Sequence, residues 1–364
     1  MKKTKYLLLL LLFIFILLLS RCSSEKRAIK KAIADELNLL KKLDTETAMK
    51  YVSWQDLFPD IPENSENLEK IKELFALFFK DFDYKIQDIQ IDKSKNTANA
   101  TLLLYVMDGK SLAKDFALEK LMQEIKLSAQ HNSTESIDVF LSEEKLYLLL
   151  YHLLKENEYG QIEITSKIQL EKDSQKEGTW TILRTASFED DLVGGLVTFF
   201  SDVEILSPEE TLSGYLNSIT EMNIEEMIHY LDIESIINTS DNQKNKIASA
   251  LVQQMHQHFQ YQILSVSREG TAASVETQIT TFDTAAILDS FQKQWETYLS
   301  TPEAVMEGEE TRYQKSYEIL LESIQNNTAT IQLHTTFQLF HDGMSWQLDD
   351  TQHDLGNAIF GNAV

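Results

Sequence analysis

The pattern Phe-x-Tyr-x-Ile is written twice in this chain, at Phe82–Ile86 and again at Phe259–Ile263, and its surroundings recur with it. Leu43–Trp54 falls on Met222–Ile233 at an offset of 179, which sets Tyr51 on Tyr230. The Phe-x-Tyr-x-Ile motifs match at 177, and the run ending at Asp108 matches the run ending at Asp283 at 175. Trp180 falls on Trp346 at 166, and Asp191-Leu192 on Asp354-Leu355 at 163. The order is kept while the offsets shrink slowly, as small loop deletions in a duplicated domain would make them. The 364 residues therefore read as two copies of one domain, each long enough to bury a core.

The boundary between copies carries its own signal. Ser207 is an N-cap, Pro208 takes the first helical position and Glu210 the third, which together make a capping box. The copies are expected at 24–203 and 207–364, after an N-terminal segment 1–22. Within each copy the hydrophobic period changes in one order. Ile29, Ile33, Leu37, Leu40 and Leu43 keep helical spacing, as do Leu212, Leu216, Ile219 and Met222. A further helix follows around Phe75 and Met255. Strands come next, through Tyr84, Ile86 and Ile89 to a turn at 92–96 and then the run 97–107, with Glu269-Gly270 making the equivalent turn later. Asp108 and Asp283 end these strands as caps for the next helices. After a second helix, the alternating runs 161–170 and 330–340 and the short strands at Trp180 and Trp346 close each copy. Alternation implies one buried and one wetter sheet face. The fold class is α+β, with two tandem domains, each a curved antiparallel sheet packed on helices.

A resemblance rests on these residues. The Phe-x-Tyr-x-Ile strand, the turn, the capping Asp, the alternating strand, a Gly-x-Trp-x-Ile/Leu pattern and the terminal Asp-Leu resemble the repeats of uncharacterised extracytoplasmic lipoproteins of Gram-positive bacteria. Those repeats look like the NTF2-like (cystatin-like cone) fold. The second copy ends in Asn357-Ala-Ile-Phe-Gly361 as that pattern expects, whereas the first has Val193-Gly-Gly-Leu-Val-Thr-Phe-Phe200. The resemblance implies a fold and an address, and it carries no catalytic residues.

The N-terminus agrees on the address. Lys2, Lys3 and Lys5 precede an unbroken apolar run from Leu7 to Leu19. A spanning helix needs roughly 20 apolar residues and a signal-peptide core about 7–15, so the run reads as an export signal. The one cysteine of the chain, Cys22, follows directly. Leu19-Ser20-Arg21-Cys22 resembles the bacterial lipobox, with Arg21 where a small residue is usual, and Cys22 is the expected lipidation site. An uncleaved short anchor is the alternative. A body with no second cysteine has no internal disulfide, thiol nucleophile or cysteine–zinc site. Net charge is −24, and cleavage before Cys22 leaves 29 basic against 57 acidic residues, a charge of −28. Such a surface repels phosphate backbones, so nucleic acid is not expected as a partner.

Chemistry is sparse. His256 and His258 lie two apart at a helix end, where they point to different sides and cannot share an ion. His334 falls on the polar face of a strand, and His341-Asp342-Gly343 on a hairpin turn. Glu189-Asp190-Asp191 and the acids Glu307, Glu309 and Glu310 read as solvated surface. No calcium loop, Walker loop, nucleophile elbow or paired-histidine zinc motif is present. No cofactor and no metal are expected. Trp180 and Trp346 are expected to plug the cones. Tyr84 and Tyr261 recur in both copies and are the candidate ligand-facing residues. The expectation is a non-enzymatic, membrane-tethered module on the outer face of the cell membrane, binding an envelope protein or small ligand. The alternatives are an enzyme using one cone as its pocket, or solute capture for a transporter.

Overall fold

The computed structural model describes residues 24–52, 67–130, 141–173, 176, 178–230, 242–349 and 354–360. The chain divides into two compact units, 1–116 with 142–202, and 117–141 with 203–364. Each unit is a mixed α+β body holding one four-stranded antiparallel sheet. The strand orders are β1-β2-β3-β4 and β5-β6-β7-β8. Among the described residues no helix is long and apolar enough to cross a membrane. The apolar run 7–19 and Cys22 lie outside the described residues.

The first unit opens with helix α1 (24–41), which buries Ile29, Ile33, Leu37 and Leu40 completely. Each such side chain contributes about 1.5–3 kcal/mol when fully removed from water. Leu43, expected to continue that stripe, instead takes a left-handed φ of 58° and is exposed, so the helix stops before it. Helix α2 (Thr45–Tyr51) is capped by the Asp44 carboxylate, which accepts from Thr47 N at 2.9 Å. Helix α3 (Leu68–Leu77) leads to strands β1 (Asp83–Asp92) and β2 (Thr97–Met107), the latter with the bounds its alternation predicts. Helices α4 (Gly109–Gln130) and α5 (Glu143–Glu156) precede β3 (Gln161–Lys172) and β4 (Trp180–Leu183), and short helices α6 (Ala186–Leu192) and α7 (Leu196–Phe200) end the unit. Residues 109–116 of α4 belong to this unit, and 117–130 to the second.

The second unit repeats the order with helices α8 (Pro208–Glu221), α9 (Ile224–Tyr230) and α10 (Asn242–His258), then β5 (Gln260–Glu269) and β6 (Ala272–Phe282). Helices α11 (Thr284–Leu299), α12 (Pro302–Met306) and α13 (Glu309–Gln325) follow, then β7 (Thr330–His341), β8 (Trp346–Asp349) and α14 (Asp354–Ile359). The capping box at Ser207 forms in full, Glu210 N donating to Ser207 Oγ and Ser207 N to Glu210 Oε2. The core gathers Leu216, Met227, Val275, Phe337 and Trp346, and Ile125 and Ala129 from residues 117–130 are buried in the same cluster.

The equivalence of the two sheets extends to their irregularities. The β1–β2 register slips between Ile86 and Asp88, and β5–β6 slips between Ile263 and Ser265, the same position in each copy. A bulge bends its strand and sharpens the twist, so both sheets bend at one place. The helix leading each copy is bonded to the sheet toward its C-terminal end, and at its N-terminal side by a glutamate that lies within α1 in the first copy and before α8 in the second. Tyr84 Oη donates to Asn38 Oδ1 at 3.3 Å, and Tyr261 Oη to Asn217 Oδ1 at 2.9 Å. At the opposite end Glu25 pairs with Lys172 at 3.5 Å and Lys93 at 3.9 Å, while Glu204 pairs with Arg268 at 2.5 Å and His341 at 3.9 Å. Glu25 and Glu204 stand 179 apart, as do Asn38 and Asn217. In the first unit this runs α1 alongside β1 in the opposite sense, from Lys93 back to Tyr84.

Candidate functional site

Tyr84 and Tyr261 both sit on the helix-facing side of their sheets, each beside an aromatic neighbour at the strand start. Phe82 stacks on Tyr84 with ring centroids 6.2 Å apart, and Phe259 tilts against Tyr261 at 6.5 Å. Both hydroxyls bond the leading helix, and burial pushes the Tyr84 phenol up. Cys22 lies outside the described residues.

The remaining residues singled out in the sequence separate on inspection. His256 and His258 are the last turn of α10, and His256 Nε2 lies 3.0 Å from Met222 O. Trp346 is buried with Arg268 over its ring at 4.7 Å and His341 edge-on at 5.1 Å, and its Nε1 donates to Glu204 at 3.2 Å. Asp342 accepts from Met344 N at 2.7 Å and Ser345 N at 2.8 Å, and these bonds hold its carboxyl below the usual range. The triplet Glu189-Asp190-Asp191 corrects the reading as solvated surface. All three are half-buried on or beside α6. Glu189 pairs with Arg184 at 2.6 Å, Asp190 accepts from Val197 N at 2.9 Å, and Asp191 accepts from Ser166 Oγ at 2.6 Å. Burial pushes the Asp191 carboxyl up. A second correction concerns Glu307, which accepts from Tyr298 Oη and raises that phenol to about 12. Glu309 and Glu310 occupy the first turn of α13, where the helix dipole favours acids.

The first unit holds a shallow cavity of about 460 Å³ between α1, α2 and the start of β4, lined by Lys31, Asp35, Glu36, Lys50 and Trp180. Lys50 and Glu36 form an ion pair across it. Tyr51 lies nearby, fully buried, its ring edge-on to Phe188 at 5.8 Å. Burial first, and the Glu36 carboxylate second, push its phenol up. A second hollow of about 400 Å³ includes Tyr159, whose phenol burial raises to about 12. Tyr51 and Trp180 recur in the second copy as Tyr230 and Trp346, but the ion pair does not: the positions of Glu36 and Lys50 are occupied there by Tyr215 and His229.

The outward faces of the two sheets differ most. Outward residues of adjacent strands stand side by side about 5 Å apart, so a row across three strands is a small surface patch. In the first sheet the rows are Asp83/Tyr105/Glu163, Lys85/Leu103/Thr165, Asp88/Thr101/Lys167 and Gln90/Asn99/Gln169. Five of these twelve positions are charged, and Lys85 donates to Tyr105 Oη at 2.7 Å. In the second sheet the matching rows are Gln260/Thr280/Gln332, Gln262/Gln278/His334, Ser265/Glu276/Thr336 and Ser267/Ser274/Gln338. Glu276 alone of these twelve carries a fixed charge. The amides and hydroxyls are bonded across strands, Gln278 Nε2 to Gln332 Oε1 at 3.1 Å and Ser274 Oγ to Gln338 Oε1 at 2.8 Å. The next row is Glu269/Ala272/Phe340, which sets a second carboxylate and Phe340, 45% exposed, at the margin, and Asp349 of β8 flanks Gln338. Strand alternation places these residues outward from sequence alone, but the poverty of charge is visible only once the rows are aligned.

No protein-family model matches the chain, and no curated protein matches it in sequence. Among solved structures, a candidate lipoprotein (ycdA) of Bacillus subtilis is similar at 10% identity over 76% of this chain and 95% of its own, with a TM-score of 0.32.

Proposed function

We propose that the chain is a lipoprotein held at the outer face of the bacterial cell membrane through Cys22, and that it is a non-enzymatic binding module built from two NTF2-like domains. The lysine-led apolar run ending at a lone cysteine supports the address. The repeated strand order, shared bulge and paired helix-to-sheet bonds support descent from one duplicated domain. The observation that carries the binding role is the open face of the second sheet, where one position in twelve is charged against five in the first. Two copies of one fold that share pins and bulge but differ on one face have diverged where a partner would touch. Cys22→Ala is expected to abolish incorporation of labelled palmitate in cells and to leave the precursor uncut. Labelling that persists unchanged would remove the lipidation from this reading.

A second reading, an enzyme working in the first unit, has one observation in its favour: the cavity holds Asp35 and Glu36, and Glu36 acts on a neighbouring tyrosine, Tyr51, whose pKa is raised. The burial of Tyr51 weighs against it, because a hydroxyl with no accessible surface cannot exchange a proton with a substrate in the cavity.

A further inference from the structure

We infer that the outward face of β5, β6 and β7 is a docking surface for an uncharged glycan chain. The inference rests on the binding-module reading and names its ligand class. The first argument is charge. The chain carries −24 overall, and a quarter of its residues are charged, yet this face has Glu276 as its one fixed charge among twelve positions. A face that served solubility alone would be salted with charges, as the first sheet is. An anionic polymer or lipid surface is repelled by the net charge, and a basic partner finds one carboxylate, Glu276, among the twelve positions, with Glu269 and Asp349 only at the margin.

The second argument is desolvation. Binding replaces surface water with ligand groups, and removing water from a charge costs far more than removing it from an amide or hydroxyl. Glutamine offers two donors and an acceptor, and serine or threonine one donor and two acceptor lone pairs. Gln262, Gln278, Gln332 and Thr336 can therefore answer hydroxyl or acetamido groups of either polarity along a sugar chain. The Gln278–Gln332 and Ser274–Gln338 bonds hold four side chains of the face, Gln278 and Gln332 among them, in place before a ligand arrives, which lowers the entropy lost on binding. The third argument is composition. Protein-binding patches centre on aromatic residues, methionine and arginine, and the twelve positions hold none of these. Phe340 stands beyond the last of these rows, where its ring can cover the apolar face of a sugar.

The test uses the full chain, purified in a neutral detergent, titrated calorimetrically with three probes: an N-acetylglucosamine hexamer, a glucose hexamer and polylysine. At least one neutral oligosaccharide is expected to bind, and the arm that responds tells acetamido from plain hydroxyl recognition. Gln278→Glu is expected to weaken that binding at least tenfold. Thr165→Glu, at the equivalent of His334 on the first sheet, is expected to leave it unchanged. Both substitutions are at solvent-facing positions, and unchanged amide-exchange protection of β6 and β3 reports that each variant folds. If neither oligosaccharide binds, or binding survives Gln278→Glu, the glycan assignment is overturned. Polylysine binding without oligosaccharide binding would overturn it too, while leaving the binding-module reading standing with another ligand. Palmitate labelling in the same cells reports the tether separately.

Discussion

In the first unit five of the twelve outward positions are charged, beside Tyr105, Leu103 and five amides or hydroxyls; in the second the same rows are amides and hydroxyls apart from Glu276 and His334. On the inward side the contrast is smaller and of another kind. At one position Leu102 of the first sheet is replaced by Thr277 of the second, both fully buried, and the Thr277 hydroxyl has no hydrogen-bond partner among the described residues. The junction at the end of the second strand also closes in two ways. In the first unit Gly109 packs against the backbone of Val193 and Gly194, where a Cβ would lie 2.5 Å from Gly194 O. In the second, Thr284 stands at the equivalent of Gly109 and donates to Phe360 O at 2.8 Å, while Thr281 donates to Ile359 O at 2.6 Å. What stays fixed is what bends the sheet and seats its helix. Side chains that do neither are free to differ.

The sharpest way to break this comparison is at Ala129, which belongs by sequence to the first copy but is fully buried in the second unit's core. Ala129→Asp buries an unpaired charge there and is expected to cost at least about 3 kcal/mol. Amide exchange should accelerate in β6 and β7 while β2 and β3 keep their protection. The opposite pattern would return residues 117–130 to the first unit. A smaller effect is expected from exchanging the inward residues. Leu102→Thr, which writes the second copy's residue into the first, should destabilise by about 2 kcal/mol through lost apolar burial and an unpaired hydroxyl. Thr277→Val should stabilise by about 1 kcal/mol, since it removes such a hydroxyl. Denaturant midpoints of the two variants moving in the same direction would refute the equivalence of these sites.

The smallest effect is expected at the ion pairs. The Arg268 bond, and after it the Trp346 bond, hold the Glu204 carboxyl below the usual range. A depressed carboxylate contributes stability above its unfolded pKa, about 4.3, and that contribution fades as pH falls through the folded value. Half-exposed pairs of this kind are worth at most about 1 kcal/mol. Glu204→Gln should therefore lower the melting temperature slightly at pH 7, with the difference from the parent closing below about pH 4. Glu25→Gln should do less, because its lysines stand at 3.5 and 3.9 Å. A larger effect at Glu25 than at Glu204 would reverse the ranking.

Much of the architecture was legible in the alternation. The bounds of β2, the turn at Gly270 and the capping aspartates followed from residue types. Even the bulge left a trace, since the apolar phase of β1 shifts from Tyr84 and Ile86 to Ile89. The bonds at the ends of the leading helices were not legible. Their acids repeat, but the partners are lysines in one copy and arginine with histidine in the other, so no motif recurs. The acids beside α6 looked like surface because their partners, Arg184, Ser166 and Val197, are set beside them by folding and not by any regular spacing. Of the candidate site, Tyr84 and Tyr261 were found for their recurrence, and their asparagine partners were not.

The seating of α1 has a mechanical consequence. Glu25 lies three residues after Cys22, and its carboxylate reaches the far hairpin and the end of β3. With Cys22 as the proposed anchor, a pull from the membrane would reach the body at the start of α1, and its component along the helix axis would load α1 lengthwise. Because that helix lies lengthwise against β1, the pull would shear Ile29, Ile33, Leu37 and Leu40 out of the core together instead of peeling them away one by one. Shear geometry sets a high rupture force for a modest number of contacts, so a first domain held through the proposed tether would resist a pull along its leading helix.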